Sequence, residues 1–187
     1  METAILTGIG LAAPAGLNAY IPLLALALAD RATTHITLNA PYDALSSNVG
    51  IGILIVLLTI ELIVDKIPGV DHVNDIIQSF VRPAAGAIVA LASTSGIVAI
   101  NPAVMVLLGL VLAGSVNAVK VTTRPAVTVG TAGVFNPLVS MGEDAVAILA
   151  SAIAIFLPAL VLVILAFFAV SSILLVRRFR RMRAGAP

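Results

Sequence analysis

Five apolar segments, separated by polar stretches, dominate the pattern of this chain. They cover residues 4–29, 48–64, 84–99, 102–119 and 145–176. A helix that crosses the hydrocarbon core of a membrane needs about 20 mainly apolar residues. The pattern therefore predicts an all-α protein, a polytopic transmembrane helix bundle of about five spans, which forms a single integral membrane domain over residues 1–187.

Two of these segments differ from a standard span. The segment 84–99 is short and is separated from the next one only by Ile100-Asn101-Pro102, which is typical of a turn. The last segment holds 32 residues, which exceeds one membrane thickness at a rise of about 1.5 Å per residue. We expect it to tilt, to kink at Pro158 and to project into the cytoplasm.

The stretch 122–142 fits neither a helix nor an open loop. Gly, Thr and Pro are frequent in it, yet most of its residues are apolar. Irregular backbone at membrane depth is tolerated only where it is buried in protein or lines a water-filled cavity. We therefore predict a broken or re-entrant segment near 122–142. A surface loop is the alternative, and a sixth crossing here would change the topology.

Composition supports lipid as the solvent. Hydrophobic residues make up 60% of the chain, its mean hydropathy is +1.16, and only 10% of residues are charged, against roughly 25% in soluble domains. A soluble fold of this size has too little interior to hide that much apolar surface. The chain contains no Cys, which excludes disulfides and thiolate metal sites.

The tail 177–187 is strongly basic, with five arginines between Arg177 and Arg183. Such a tail is typical of the cytoplasmic end of a protein in the cell inner (plasma) membrane, so we expect a cytoplasmic C-terminus. A nucleic-acid patch is the alternative, but we predict no nucleic-acid partner. Five crossings then place residues 66–82 and 120–144 together on the outer side, with the N-terminus.

A short internal repeat suggests two halves, 1–99 and 100–176. Residues 10–19 align without gaps on residues 109–118, and both stretches end in an Asn-Ala pair, Asn18-Ala19 and Asn117-Ala118. If three crossings separate the copies, the second is inverted in the membrane, and inverted repeats with broken helices are typical of transporters. Chance identity in a chain rich in Ala, Leu, Gly and Val is the alternative.

The stretch Glu61–Pro83 carries four carboxylates, a Lys, a His and an Arg. A charged residue at the centre of a membrane helix costs roughly 2.5–3.5 kcal/mol on insertion scales. Glu61 and Asp65 share a helix face and repel each other unless a proton or a cation intervenes. The available partners are Lys66, Arg82, Lys120 and Arg124, and we expect Glu61 to approach Arg124. The alternative is a purely structural salt-bridge network.

Other polar residues complete the candidate substrate or ion pathway. Asn18 and Asn117 lie in apolar segments, where they either join helices or face a path. Asp71, His72, Asn74 and Asp75 have side chains that suit a divalent cation, but Asp71 also suits a helix N-cap, and we predict no metal and no cofactor. The pathway set is Asn18, Glu61, Asp65, Lys66, Asp71, His72, Asp75, Arg82, Asn117, Lys120, Arg124, Asn136, Glu143 and Asp144.

Two pairs of residues in this set have rival explanations. Lys120 and Arg124 either hold an anion such as a phosphate head group or only neutralise the carboxylates. Glu143-Asp144 is expected to cap the last helix. Tyr42-Asp43 and Gly142-Glu143-Asp144 also resemble, faintly, the paired acids of an intramembrane aspartyl protease, but the second lacks the Gly before Asp. We predict that the protein is not an enzyme and has no catalytic residues.

The most specific motif is Asp65-Lys-Ile-Pro-Gly-Val-Asp71, and others lie at Gly16–Leu23, Arg82–Gly86, Lys120–Arg124, Asn136-Pro137 and Glu143-Asp144. In these motifs the chain resembles the uncharacterised bacterial membrane-protein family called "domain of unknown function" number 4126. The resemblance covers most of the chain. It implies a multi-pass inner-membrane protein and supplies no activity.

The functional expectation therefore comes from the residues. We expect a small transporter, flippase or channel-like protein whose polar path is lined by paired acidic and basic residues. Charges of both signs fit a small amphipathic or zwitterionic substrate, a lipid or an ion, or proton coupling through Glu61. A homo-oligomer in the lipid bilayer is expected, because five thin Ala- and Gly-rich helices form a small bundle. The alternatives are a non-catalytic scaffold or assembly subunit, and the intramembrane protease.

Overall fold

A computed structural model describes residues 2–65, 67, 70–161 and 163–164. Within these residues it contains six α-helices, one 3₁₀ helix (Tyr42–Ser46) and no strand. The α-helices are α1 (Glu2–Ala15), α2 (Tyr20–Ala32), α3 (Asn48–Val64), α4 (Val70–Ser93), α5 (Pro102–Thr131) and α6 (Asn136–Phe156). The all-helical fold predicted from the sequence is confirmed.

Three of these helices are long and apolar enough to cross a membrane, namely Asn74–Ser93 within α4, all of α5 and all of α6. The apolar helix α3 is shorter. Large aliphatic side chains on the outer faces of α3, α5 and α6 are more than half exposed, for example Val56, Leu107 and Leu149. Water disfavours such a surface and hydrocarbon does not. The helices are therefore compatible with a membrane protein, with three candidate spans where five were predicted.

The first predicted span, 4–29, is two short helices. Pro14 and Gly16 end α1, and the side chain of Asn18 then accepts hydrogen bonds from the backbone N–H groups of Tyr20 (3.1 Å) and Ile21 (3.2 Å), which caps the start of α2. With 14 and 13 residues, each helix is about 20 Å long. Neither reaches across a hydrocarbon core of about 30 Å.

These two helices form a hairpin. The first turns of α1 and the segment after α2 line one cavity of about 580 Å³, to which Thr3, Thr7, His35 and Asn39 contribute. Both open ends therefore lie together, and residues 16–19 form the tip at the opposite end. We call α1, α2 and these tip residues the α1–α2 hairpin. It forms a broken-helix element within the first predicted span.

Helix α1 lies at the centre, in contact with α4, α5 and α6. The core around it is built mostly from small residues and leucines. It includes Leu11, Ala12, Ala15, Leu23, Leu26, Ala85, Val89, Ala92, Ala113 and Ala154. Small side chains let helix backbones approach closely, which is how helices associate in lipid.

The stretch 122–142 is more regular than predicted. Helix α5 continues through Arg124-Pro125 to Thr131, and only residues 132–135 leave the helical conformation, with Ala132 at φ 49° and Gly133 at φ 79°. Helix α6 then begins at Asn136 rather than at 145, so Glu143 and Asp144 lie inside it and do not cap it. Pro is tolerated inside membrane helices because neighbouring groups satisfy the freed carbonyl.

The other predicted boundaries change in the same way. Helix α4 begins at Val70 and continues through Arg82-Pro83, whereas the prediction began the helix at 84. Helix α6 ends at Phe156 and helical residues resume over 158–161, so the chain is interrupted next to Pro158 as expected. The remainder of the last predicted segment and the basic tail lie outside the described residues.

The two copies of the proposed repeat differ in conformation. Residues 10–19 contain the end of α1 and the hairpin tip, whereas residues 109–118 lie entirely within α5. The sequence match is therefore not accompanied by a matching local structure at these ten positions.

Helices α4 and α5 approach each other through a pair of glycines. A Cβ atom on Gly86 would lie 2.6 Å from the carbonyl oxygen of Gly109, and a Cβ on Gly109 would overlap the backbone of Gly86. Gly114, also on α5, has room for a Cβ, because its nearest neighbour would be Pro83 Cγ at 3.8 Å. The close crossing of the two helices thus depends on Gly86 and Gly109.

We predict that Gly109→Ala destabilises the protein by about 1–3 kcal/mol, because the added methyl group overpacks a backbone contact. The control Gly114→Ala, on the same helix, should be neutral or stabilising by up to about 1 kcal/mol through helix propensity. Thermal unfolding in detergent measures both. Equal stability of the two variants would show that the glycine contact does not hold α4 against α5.

Candidate functional site

Seven charged side chains meet where the C-terminal end of α3, the first half of α4, the second half of α5 and the start of α6 converge. We call them the ion-pair network. Six of them are buried, and Glu143 is partly buried. The members are Glu61, Asp65, Asp75, Arg82, Lys120, Arg124 and Glu143.

Arg82 stands at the centre of the network and is completely buried. Its Nη2 lies 3.1 Å from Glu61 Oε1 and 3.7 Å from Asp65 Oδ2. Its Nη1 lies 3.3 Å from Asp75 Oδ1 and donates to Asn117 Oδ1 at 3.0 Å. The guanidinium group of Arg82 therefore connects α4 to the end of α3, to Asp65 just after α3, and to α5.

Lys120 and Arg124 occupy one side of α5 and share two carboxylates. Lys120 Nζ lies 2.9 Å from Glu143 Oε2 and 3.4 Å from Asp65 Oδ2. Arg124 Nη2 contacts the same two oxygens at 2.8 and 3.4 Å, and its Nη1 lies 3.2 Å from Asp75 Oδ2. This shared pairing links α6 to α4 through α5.

Neutral side chains complete the hydrogen bonding. Asn74 Nδ2 donates to Asp65 Oδ1 at 2.6 Å, and Asn117 Nδ2 donates to Ser79 Oγ at 3.3 Å. Each carboxylate or guanidinium that is bonded in this way needs less water around it, which lowers the cost of burying the charge.

The tip of the α1–α2 hairpin contacts this network. Lys120 Nζ donates to the carbonyl oxygen of Leu17 at 2.8 Å, and Asn18 Nδ2 donates to Asp144 Oδ1 at 3.0 Å. A cation thus stands at the dipole-negative C-terminal end of α1, and a carboxylate stands near the dipole-positive N-terminal end of α2. Both placements are electrostatically favourable.

Helical periodicity explains why these side chains face one another. On α5 the buried positions Gly109, Ala113, Asn117, Lys120 and Arg124 recur every three or four residues. On α4 the buried positions begin with Asp75, Gln78 and Arg82 and continue as an apolar stripe from Ala85 to Ala92. Each helix therefore has one inner face, apolar at one end and polar at the other.

The structure also separates some of the predicted residues from the network. The side chain of Asn136 pairs with Thr128 at 3.0 Å, one turn beyond Arg124 along α5. The ion-pair partner of Glu61 is Arg82, so the expected approach of Glu61 to Arg124 is replaced by an indirect link through Arg82. Lys66 and the side chains of Asp71 and His72 lie outside the described residues.

The acids of the protease alternative are not brought together in the described structure. Asp43 is exposed on the 3₁₀ helix, whereas Asp144 is buried against Asn18. Among the described residues, there is also no group of three or more His, Asp or Glu side chains placed to hold a metal ion.

Sequence reasoning missed several contributors. The carbonyl of Leu17 gives no signal in a sequence, because any residue carries one. Gln78 and Ser79 were overlooked, although Gln78 lies three residues after Asp75 and four before Arg82, the spacing of one helix face. Asn74, adjacent to Asp75, was noticed only as part of the acidic stretch.

A model of the protein family described as "Domain of unknown function (DUF4126)" matches residues 5–178. This match confirms the family resemblance identified in the sequence and covers the whole described site. No curated protein and no solved structure matches the chain.

We predict that Arg82→Gln destabilises the protein by about 3–5 kcal/mol, because it leaves buried carboxylates without their shared cation. The matched control is Arg31→Gln. Arg31 is exposed and donates to Asn48 Oδ1 at 2.6 Å, so its loss should change stability by no more than about 0.5 kcal/mol. Thermal unfolding in detergent compares them, and similar losses in both variants would contradict a central role for Arg82.

A polarity exchange tests the contact at the hairpin tip. Asn18→Asp should destabilise by about 1–3 kcal/mol, because it faces one carboxylate with another in a buried site. Adding Asp144→Asn restores one amide and one carboxylate, and Asp caps helices as well as Asn does. The double variant should therefore be more stable than Asn18→Asp alone. Unfolding of the four proteins forms a double-mutant cycle, and additive losses would rule out the contact.

Proposed function

Since the chain belongs to the DUF4126 family, which is described only as a domain of unknown function, we propose its function from the site: a small membrane transporter, flippase or channel-like protein with a polar path along the ion-pair network. The observation that carries the proposal is the meeting of a broken-helix tip and a buried network of both charge signs.

The tip and the centre of the network lie at a similar depth. Arg82 is eleven residues before the end of α4 at Ser93, or about 17 Å along the axis. Ser93 lines the same cavity as the open end of the α1–α2 hairpin, and the tip lies about 20 Å from that end. Irregular backbone at such depth is tolerated where it is buried in protein or lines a path.

Transporters place their binding sites beside discontinuous helices, whose half-helix ends face ions and charged substrate groups. Here the C-terminal end of α1 faces Lys120, and the start of α2 lies near Asp144. One cation and one carboxylate therefore contact the tip, which suits a small substrate that carries both charges, or an amphipathic one. In this conformation the network is buried, so passage requires the hairpin to shift relative to α5 and α6.

We further propose an orientation and a setting for this transporter. The basic tail supports a cytoplasmic C-terminus in the cell inner membrane. The exposed aliphatic faces of α3, α5 and α6 suit either lipid or a second copy of the chain, which supports a homo-oligomer.

One observation favours a different class, a non-catalytic membrane scaffold. Each cation of the network has at least two acceptors among Asp65, Asp75, Glu61, Glu143 and the carbonyl of Leu17. Such dense pairing also suits a permanent lock between helices. The scaffold and the transporter differ in whether water ever reaches the network.

Single cysteines can test this directly, because the chain has none. Ser140 and Ser151 lie on the same face of α6, are buried, and have hydroxyl groups without a partner among the described residues. Ser140 lies one turn before Asp144, in the part of α6 that carries Glu143, whereas Ser151 lies about two turns after Asp144 in a mainly apolar cavity of about 430 Å³ that Asp144 also lines. We predict that a charged, water-borne thiol reagent modifies Ser140→Cys in membranes at least tenfold faster than Ser151→Cys.

A cysteine at the exposed position Thr34 supplies the reference rate for open water. If Ser140→Cys stays as unreactive as Ser151→Cys, the network is dry at all times and the scaffold is the better function. Equal, rapid reaction at both positions would show that the variants are not packed as in the native fold, and it would contradict a path confined to the network.

A further inference from the structure

The described ion-pair network is not balanced in charge. It contains four carboxylates (Glu61, Asp65, Asp75 and Glu143) and three cations. Asp144 lies beside it and is held by the neutral amide of Asn18. An excess negative charge in a buried site is expensive, and the usual remedy is that one carboxylate takes a proton.

The carboxylates differ in how many cations surround them. Asp65 contacts Arg82, Lys120 and Arg124. Asp75 contacts two cations, Arg82 and Arg124, and Glu143 contacts Lys120 and Arg124. Glu61 contacts Arg82 alone among the described residues. Glu61 is therefore the least compensated carboxylate of the four.

Glu61 is also the carboxylate with an unused oxygen. Its Oε1 accepts from Arg82, but its Oε2 is buried and has no hydrogen-bond partner among the described residues. Glu61 itself is only 1% exposed. A buried, unpaired carboxylate oxygen normally calls for an explanation, since few polar atoms in native structures are left this way.

The groups that face Glu61 come from every helix packed around it. Arg82 reaches it from α4, Asp65 follows it at the end of α3, Lys120 acts on it from α5, and Tyr20 lies nearby at the start of α2. Gln78, which is buried on α4 one turn before Arg82, has a side-chain oxygen with no partner in the described part of the chain. Besides Arg82, the groups around Glu61 are therefore one cation (Lys120), one carboxylate (Asp65) and the neutral side chains of Tyr20 and Gln78.

We propose that Glu61 is a proton-binding site, at which Oε2 takes up one proton from water. The described network then carries three negative and three positive charges. No bond other than the new O–H bond is formed. The salt bridge between Glu61 and Arg82 becomes a hydrogen bond to a neutral acid, while Arg82 keeps Asp75 and Asn117. Proton uptake and release at Glu61 thereby alter how firmly α3 is held against α4.

A proton fits this place better than a metal cation. Hard cations such as Ca²⁺ take about six to eight oxygen ligands, whereas Glu61 offers one free oxygen beside a guanidinium. A protonated Glu61 is compatible with a transporter and with a scaffold alike.

Infrared difference spectroscopy on the purified full-length protein in lipid nanodiscs tests the proposal. Spectra in mildly acidic and mildly alkaline buffer are compared in the region of the C=O stretch of a protonated carboxyl group. The expected result is a band that titrates in the native protein and is completely lost in Glu61→Gln. The matched control is Glu2→Gln, an exposed residue in the first turn of α1, which should keep the band.

Isotope labelling restricts the assignment to the glutamates without any substitution, and the loss in Glu61→Gln then identifies Glu61 among them. The chain has only three glutamates, Glu2, Glu61 and Glu143, so ¹³C-labelled glutamate should shift the band in the native protein. A band that persists in Glu61→Gln, or that does not shift with labelled glutamate, would overturn the proposal. The same is true if no protonated carboxyl group is detected in the native protein. Cysteine reactivity at position 140 is unaffected by this outcome, so the two proposals fail separately.

Discussion

A guanidinium group that keeps its proton and is buried away from water in this conformation determines the arrangement of this helix bundle. Arg82 is completely buried, and arginine stays protonated in proteins. Its charge must therefore be met by protein groups from several directions, and the fork geometry of guanidinium allows one side chain to satisfy more than one acceptor. Glu61, Asp75 and Asn117 supply these acceptors from α3, α4 and α5. The relative positions of the three helices follow from that single requirement.

Close backbone packing makes those contacts reachable. In lipid there is little hydrophobic gain from bringing helices together, so small residues and polar contacts hold them. The Gly86–Gly109 contact brings α4 and α5 together about one to two turns from Arg82 and Asn117, and Gly16 lets the hairpin tip lie against the backbone of α5 near Ala113. Close packing in the apolar half of the bundle thus sets the distances between the interacting side chains in the polar half. On α4 and α5, one end of the inner helix face provides close packing and the other end provides the charged contacts.

The sequence predicted the charge pairing at the site more accurately than it predicted the boundaries of the helices. Charge next to apolar segments and the i, i+4 spacing of Glu61 and Asp65 correctly indicated that these acids require cations, and Arg82, Lys120 and Arg124 are their partners. Helix ends were misjudged because Pro83 and Pro125 suggest breaks in water, whereas membrane helices tolerate them. The break at residues 16–19 was missed for the opposite reason: hydropathy stays high there, and the groups that stabilise the tip are remote in sequence.

That remoteness has a consequence for how the protein is assembled during synthesis. The hairpin tip leaves the ribosome before its partners Lys120 and Asp144, which are 103 and 126 residues away from Leu17 and Asn18. Until those residues emerge, the open turn has neither its cation nor its carboxylate, and both helices are too short to be held as spans. The contacts at the hairpin tip can therefore form only after α5 and the start of α6 have been synthesised. Completion of the α1–α2 hairpin thus depends on residues in the second half of the chain.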